Sequence, residues 1–259
     1  MSKLLMFKND SSNMLEIKNL QISASQKQIL HGISMCFETG KNYCLLGKNG
    51  SGKSSLSGFL MGNPNYTHIS GEVTIDTKNL IQMDPEERSK NGLFLSFQHI
   101  PEIPGIQLSE YLRTIYNISL KNKNPAGADI SPFIFKRHIQ KYLDELHIDA
   151  SFLERDLNVG FSGGEKRKIE MLQMKLIEPS YIILDEIDSG LDLDAFRSMA
   201  ALLQSMSSPQ NTFIIITHQF KILDYIHTDY VYVLRDGEVV KEGGREVIDE
   251  VKEKGFKEI

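Results

Sequence analysis

The stretch with the clearest chemistry is GKNGSGKSS, Gly47 to Ser55, which follows the apolar run Tyr43-Cys44-Leu45-Leu46. Gly47, Gly50 and Gly52 open backbone conformations closed to residues with a Cβ, so successive N–H groups can converge on one anion. Lys48, Asn49 and Ser51 lie between those glycines, and Ser55 closes the same cradle. A helix starting behind the loop adds about half a positive charge at its N-terminus. Lys53 offers a flexible cation for the outer phosphates, and the Ser54 hydroxyl is placed to ligate Mg²⁺. A GxxxxGKS pattern between an apolar strand and a helix points to a nucleoside-triphosphate site.

Two further clusters could act on the same ligand. Tyr181-Ile182-Ile183-Leu184-Asp185-Glu186 reads as a buried strand ending in two carboxylates. In a parallel sheet such an end faces the ligand crevice, where Asp185 would hold Mg²⁺ through its water shell and Glu186 would face an attacking water. Phe161-Ser162-Gly163-Gly164-Glu165-Lys166 opens a helix whose start carries Lys166, Arg167 and Lys168. Cations in a first turn oppose the helix dipole. An anion docking on Ser162 and the N–H groups of Gly163 and Gly164 would offset that conflict, and an ordinary Ser-Gly-Gly cap is the alternative.

The elements that must position these residues follow from hydrophobic period. Leu15, Ile17 and Leu20, then Ile33, Met35 and Phe37, alternate as strands, the second ending at a Thr39-Gly40 turn. A helix ending near Met61, a polar loop from Asn63 to Ser70, and a strand through Val73 and Ile75 come next. Asp84-Pro85 starts a helix that Asn91-Gly92 stops, and Leu93 to Phe97 is expected as a buried strand grouped with the antiparallel ones. Ser109 is expected to cap a helix carrying Leu112, Ile115 and Tyr116, and Lys121 to Ile130 reads as a linker. Ser131-Pro132 starts a second helix with Phe135, Ile139, Tyr142, Leu143 and Leu146 at helical spacing. After Tyr181 to Leu184 come a helix near Leu193 to Met206, a strand from Thr212 to Thr217, and a short helix. A hairpin across Asp236-Gly237 and an amphipathic helix from Arg245 to Lys254 complete the pattern. Repeated strand–helix units imply a parallel sheet covered by helices. Residues 14–259 are expected to form one domain with a helical subdomain at about 98–159. Residues 1–13 are expected to be a flexible extension, with Met14 a possible alternative start.

The formal net charge of −5 argues against a basic nucleic-acid footprint. No apolar run approaches the roughly 20 residues a membrane span needs, and the first residues are too short for a signal-peptide core. Cys36 and Cys44 fall in strands without metal-ligand spacing and read as small core residues in a reducing compartment.

Taken in order, these stretches resemble an ATP-binding-cassette (ABC) ATPase nucleotide-binding domain. GKNGSGKSS corresponds to Walker A, Gln98 to the Q-loop glutamine, FSGGE to the signature and IILDE to Walker B. Ser189-Gly190-Leu191-Asp192 corresponds to the D-loop and Thr217-His218 to the switch histidine. The resemblance implies an α/β fold with a P-loop RecA-like core, an antiparallel β-subdomain and a helical subdomain, using ATP and Mg²⁺. It implies that Lys53, Glu186, His218 and Gln98 are catalytic, with Gln98 also sensing the metal beside Ser54 and Asp185. It further implies a head-to-tail dimer, in which Ser162, Gly163 and Gly164 of one subunit meet the γ-phosphate of the other and Asp192 crosses the interface. The helical subdomain, hinged near Gln98, would be the moving part.

Glu102-Ile103-Pro104-Gly105, the run GFSGGEKRKIEMLQM, Glu178-Pro179 and DSGLD are more specific. They resemble the SufC group, the cytoplasmic ATPases of iron–sulfur cluster assembly, and so imply SufB/SufD-like scaffold partners docking on Glu102 to Gln107. His99 and Ile100 depart from the family's tyrosine and proline, and Ile187 stands where serine is common. No Phe, Tyr or Trp lies between Met14 and Cys36, where many cassette proteins carry an adenine-stacking aromatic. The other readings are the ATPase subunit of a transporter with a membrane-embedded partner and a nucleotide-dependent switch without turnover.

Overall fold

A computed structural model describes residues 13–187, 193–218, 220–256 and 259. In chain order the first elements are β1 (Met14–Ala24), β2 (Lys27–Glu38), β3 (Tyr43–Leu46), α1 (Lys53–Leu60), β4 (Thr67–Ile75), β5 (Lys78–Asn79), α2 (Pro85–Lys90) and β6 (Leu93–Ser96). There follow β7 (Ile103–Gln107), α3 (Leu108–Lys123), α4 (Pro132–Leu146), β8 (Asp156–Leu157) and α5 (Gly163–Ile177). The last are β9 (Tyr181–Asp185), α6 (Leu193–Met206), β10 (Thr212–Thr217), β11 (Tyr230–Arg235), β12 (Glu238–Gly243) and α7 (Glu246–Lys254). The described residues divide into two compact units, one drawn from 13–95, 180–186 and 207–259, the other from 96–179 and 187–206.

The first unit is built on a six-stranded sheet of order β12-β11-β3-β10-β9-β6 and a four-stranded sheet of order β2-β1-β4-β5. Every residue of β3, β9 and β10 is buried, the near-continuous apolar signature of parallel strands covered on both faces. Their register decides where chemistry can happen. Leu46 pairs with Thr217 and Ile216 with Asp185 in parallel ladders, so β3, β10 and β9 end level at one edge. β11 runs parallel to β3 and ends at the same edge, Val233 opposite Leu46.

In the antiparallel sheet the period-two residues Leu15, Ile17, Leu20 and Ile22 join Ile33, Met35, Phe37, Val73 and Ile75 in one core with Tyr43, Leu45, Ile183, Ile214 and the apolar face of α1. Three tyrosines stitch the two sheets. Tyr43 Oη accepts from Glu38 N–H, Tyr232 Oη accepts from Cys36 N–H, and Tyr181 Oη donates to Asp76. Cys44 is buried and Cys36 half-buried, both unbridged on strands.

Some local expectations shift. Leu93 to Ser96 lies beside β9 at the edge of the parallel-strand sheet and not in the antiparallel group; Tyr181 N–H donates to Gly92 O at its start. The polar run Asn63 to Ser70 is not all loop. β4 starts at Thr67 because Thr67 and His68 pair with Ser23 and Ile22 of β1, and Gly71, at φ 93°, gives the bend where a Cβ would meet Asn19 O. α2 starts as expected, with Asp84 and Glu87 forming a reciprocal capping box behind Pro85.

The second unit is helical. α4 starts with Ser131 Oγ accepting from Ile134 N–H and buries Phe135, Ile139, Leu143 and Leu146, while Tyr142 is half-buried. α3 begins at Leu108, not behind Ser109. Gln107 is its N-cap without a side-chain bond, and Leu108 N–H donates instead to Arg155 O, a partner outside local sequence. The same helix runs to Lys123, into the segment expected as linker.

Candidate nucleotide-binding site

The loop after β3 needs each of its glycines for a different reason. A Cβ on Gly47 would lie 2.3 Å from Leu234 O, one on Gly52 would lie 2.8 Å from Leu30 Cδ2, and Gly50 holds φ 82° in open space. Gly52 is the N-cap of α1, with φ 105°, no side-chain cap and no acidic residue in the first turn. The first N–H groups of the helix are thus left to an external acceptor.

Lys53 is buried and folded back onto its own loop. Its Nζ donates to Gly47 O at 2.8 Å and Lys48 O at 2.9 Å, and Ser51 Oγ lies at 3.4 Å. Burial lowers the ammonium's pKa, against the pull of the nearby Glu186 and Asp185 carboxylates. Asp185 completes the corner. Its Oδ1 accepts from Ser54 Oγ at 3.2 Å and its Oδ2 from Ser57 Oγ at 2.8 Å. Burial raises the Asp185 pKa above its ordinary value, and the two hydroxyls oppose that shift. Ser57 is absent from the sequence-level candidates; its only signal was its place one turn beyond Ser54 on α1.

Glu186 follows at the strand end in the left-handed region, φ 48°, with its N–H bonded to Ile216 O at 2.9 Å. Its Oε1 lies 2.9 Å from Nδ1 of His218, which follows β10. The level strand ends therefore gather Gly47 to Ser55, Asp185, Glu186 and His218 at one edge of the first unit.

A hydroxyl and a carboxylate, both hard oxygen donors, fit Mg²⁺, which is usually held by one or two protein oxygens plus water and substrate phosphates. A consequence for stability can be measured. Ionised Asp185 disfavours the nucleotide-free fold, so Asp185→Asn is expected to raise its melting temperature while weakening Mg²⁺-dependent ATP binding. With a raised folded-state pKa, the stabilising contribution of the neutral carboxyl is complete below the ordinary carboxylate range and lost as pH rises through the folded pKa. The gap between variant and parent should open on that rise and close in acid; thermal unfolding across pH would overturn this by showing a less stable variant at neutral pH.

The second unit holds the remaining candidates. Gln98 follows β6 and is exposed, and its carbonyl accepts from Arg167 Nη2 at 3.3 Å. Ser162 is the N-cap of α5 in a capping box with Glu165, its Oγ accepting from Glu165 N–H and its N–H donating to Glu165 Oε2. Gly163 and Gly164 form the open first turn, with nothing near where a Cβ would stand. The three cations behind them need no anion to be satisfied. Lys166 pairs with Glu102 at 2.8 Å, Arg167 with Glu170 at 2.7 Å, and Lys168 Nζ donates to His147 O at 3.0 Å. These partners offset the conflict with the helix dipole, for which a docked anion and an ordinary cap are the two expectations. Asp192 and the rest of the Ser189 to Asp192 segment lie outside the described residues.

Known proteins are similar to this chain. The family model described as ABC transporter matches residues 30–189. A "probable ATP-dependent transporter" from Synechocystis, slr0075, is 42% identical over 246 residues, 95% of each chain. The E. coli "probable ATP-dependent transporter SufC" is 40% identical over 243 residues, 94% of this chain and 97% of that one. Among solved structures, the dimeric post-hydrolysis state of the cassette MJ0796 bound to ADP and Pi superposes with a TM-score of 0.71 at 20% identity, over 89% of this chain and 98% of that one.

The chain belongs to the ABC transporter family as an ATP-binding-cassette ATPase, with the nucleotide-binding-domain fold. It binds and hydrolyses ATP, and over nearly its whole length it is similar to SufC.

Proposed function

We propose that this chain is the ATPase of a SufC-type complex, using ATP hydrolysis to change the conformation of SufB/SufD-like scaffold proteins during iron–sulfur cluster assembly in the cytoplasm. The observation that carries this reading is the 40% identity to E. coli SufC across 94% of the chain.

The N–H groups of Gly47 to Ser55 cradle the phosphates, and Lys53 exchanges its carbonyl partners for phosphate oxygens. Ser54, Asp185 and Gln98 would hold Mg²⁺, which would supply positive charge against the charge developing on the phosphates. Glu186 takes the proton of the attacking water, and His218, hydrogen-bonded to it, orients that carboxylate and steadies the γ-phosphate. Phosphoryl transfer asks the protein mainly for positioning and electrostatics, which a rigid sheet edge supplies. Ser162, Gly163 and Gly164 complete the site of a second subunit. Glu102 to Gln107, where Ile103 and Ile106 are exposed, is the surface offered to the scaffold.

The name of these relatives, ATP-dependent transporter, favours a second reading in which the partner is membrane-embedded. None of the described helices is long and apolar enough to cross a membrane. Native affinity capture followed by mass spectrometry and iron and sulfide analysis separates the two. Recovery of soluble SufB/SufD-like proteins is expected; recovery of a membrane-spanning protein instead would replace this reading with the second.

A further inference from the structure

Beside the phosphate loop, within the first unit, lies a cavity of about 320 Å³. Its walls are Lys48 to Ser51, the end of β11 and the residue after it from Val233 to Asp236, and Phe256. Phe256 reaches it from the far end of the sequence. α7 is anchored by buried Val247, Ile248 and Val251, and Gly255, at φ 72°, turns the chain out of the helix. The ring then stacks on Phe220, centroids 6.1 Å apart and planes 15° from parallel. Phe220 in turn carries the Lys252 ammonium 5.6 Å from its centroid. Arg235, in the cavity wall, donates to Ile259 O at 2.5 Å, a second tie between this segment and the strand end.

A triphosphate held on the loop N–H groups fixes its base within one nucleotide's length of the loop. A purine presents two flat π-faces, and aromatic side chains stack on them whatever the base. The cavity is at the small end of ligand sites, a size that suits a base and sugar with the phosphates outside on the loop. Of the residues lining it, Phe256 is the aromatic one. That ring lies nearly parallel to Phe220, which fixes its tilt.

We propose that Phe256 is the base-stacking residue of this nucleotide site, so that the segment after α7 supplies the aromatic wall. Stacking on a single ring does not read the base edge, so ATP and GTP are held with similar affinity.

The inference rests on the reading of Gly47 to Ser55 as the triphosphate site, and the test keeps the two apart. Equilibrium binding of ATP, GTP and inorganic tripolyphosphate is measured on the full chain and on Phe256→Ala and Phe256→Tyr. The alanine variant is expected to weaken both nucleotides by about tenfold and to leave tripolyphosphate unchanged, with tyrosine restoring affinity. The chain contains no tryptophan, so Phe256→Trp provides a single emitter that ATP, but not tripolyphosphate, should quench. Unchanged nucleotide affinity in the alanine variant, an equal loss of tripolyphosphate, or tryptophan emission indifferent to ATP would each overturn the assignment. Failure of the parent chain to bind either ATP or tripolyphosphate would instead overturn the triphosphate site.

Discussion

Glu186→Gln is expected to leave ATP binding intact and to lower steady-state hydrolysis by a factor on the order of 10² to 10⁴, the usual contribution of a positioned general base. Glutamine keeps the shape and can still accept from Nδ1–H of His218, now 2.9 Å from the carboxylate, so the backbone geometry at the strand end survives. What it loses is the capacity to take a proton from water. Glu186 also sits at φ 48°, a conformation that costs a non-glycine residue of order 1 kcal/mol or more and persists only where its surroundings dictate it. Here the constraint is the N–H bond to Ile216 O and the contact with His218. Phosphate release and equilibrium ATP binding, measured on the same preparation, decide the matter. Undiminished turnover would remove Glu186 from the role of base.

Breaking the ion pair between Arg167 and Glu170 is expected to cost the second unit about 3–5 kcal/mol, the range for removing one partner of a buried pair. Both side chains are under 10% exposed. The pair is also a knot. Arg167 Nη1 donates to Ser96 Oγ, Phe97 O and Glu170 Oε2, while Glu170 accepts from Ser96 Oγ and, through Oε1, from Phe97 N–H. Arg167 Nη2 reaches the carbonyl of Gln98 as well. Burial pushes the Glu170 carboxyl above its ordinary range, and Arg167 with the surrounding donors opposes it. Arg167→Met and Glu170→Leu should each destabilise strongly. The double variant should lose clearly less than the sum, since only single variants leave a buried unpaired charge. Additive losses in denaturant unfolding would show that the two do not act as a pair. Because the knot fastens the start of the signature helix to the backbone of Gln98, the single variants should also impair ATP turnover.

How far the sequence carried depended on whether a residue's partner was close in the chain. The phosphate loop is self-describing, because glycine spacing, Lys53 and the preceding apolar strand are all local. The ends of β9, β10 and α6 are equally legible, with Thr212 to Thr217 and Leu193 to Met206 matching their expected bounds. The start of α3 is not legible locally, because its first N–H is satisfied by Arg155 O, 47 residues away by number. Likewise Leu93 to Ser96 reads the same in either sheet, and only its neighbour β9 assigns it. In the site, Ser57 went unnoticed because hydroxyls on helices are common and its carboxylate partner lies on a distant strand. The cations after Ser162 were legible as a conflict but not as a resolved one, since Glu102 and His147 O are remote in sequence.

Lys53 gives the site a property that the list of ligands does not convey. Its ammonium is held by the carbonyls of Gly47 and Lys48, so the loop is braced from within. Nucleotide entry then replaces one set of oxygen acceptors by another and orders little new chain. The free energy of binding is therefore not absorbed in building the cradle, and remains available to bias the larger rearrangement that couples ATP to a partner.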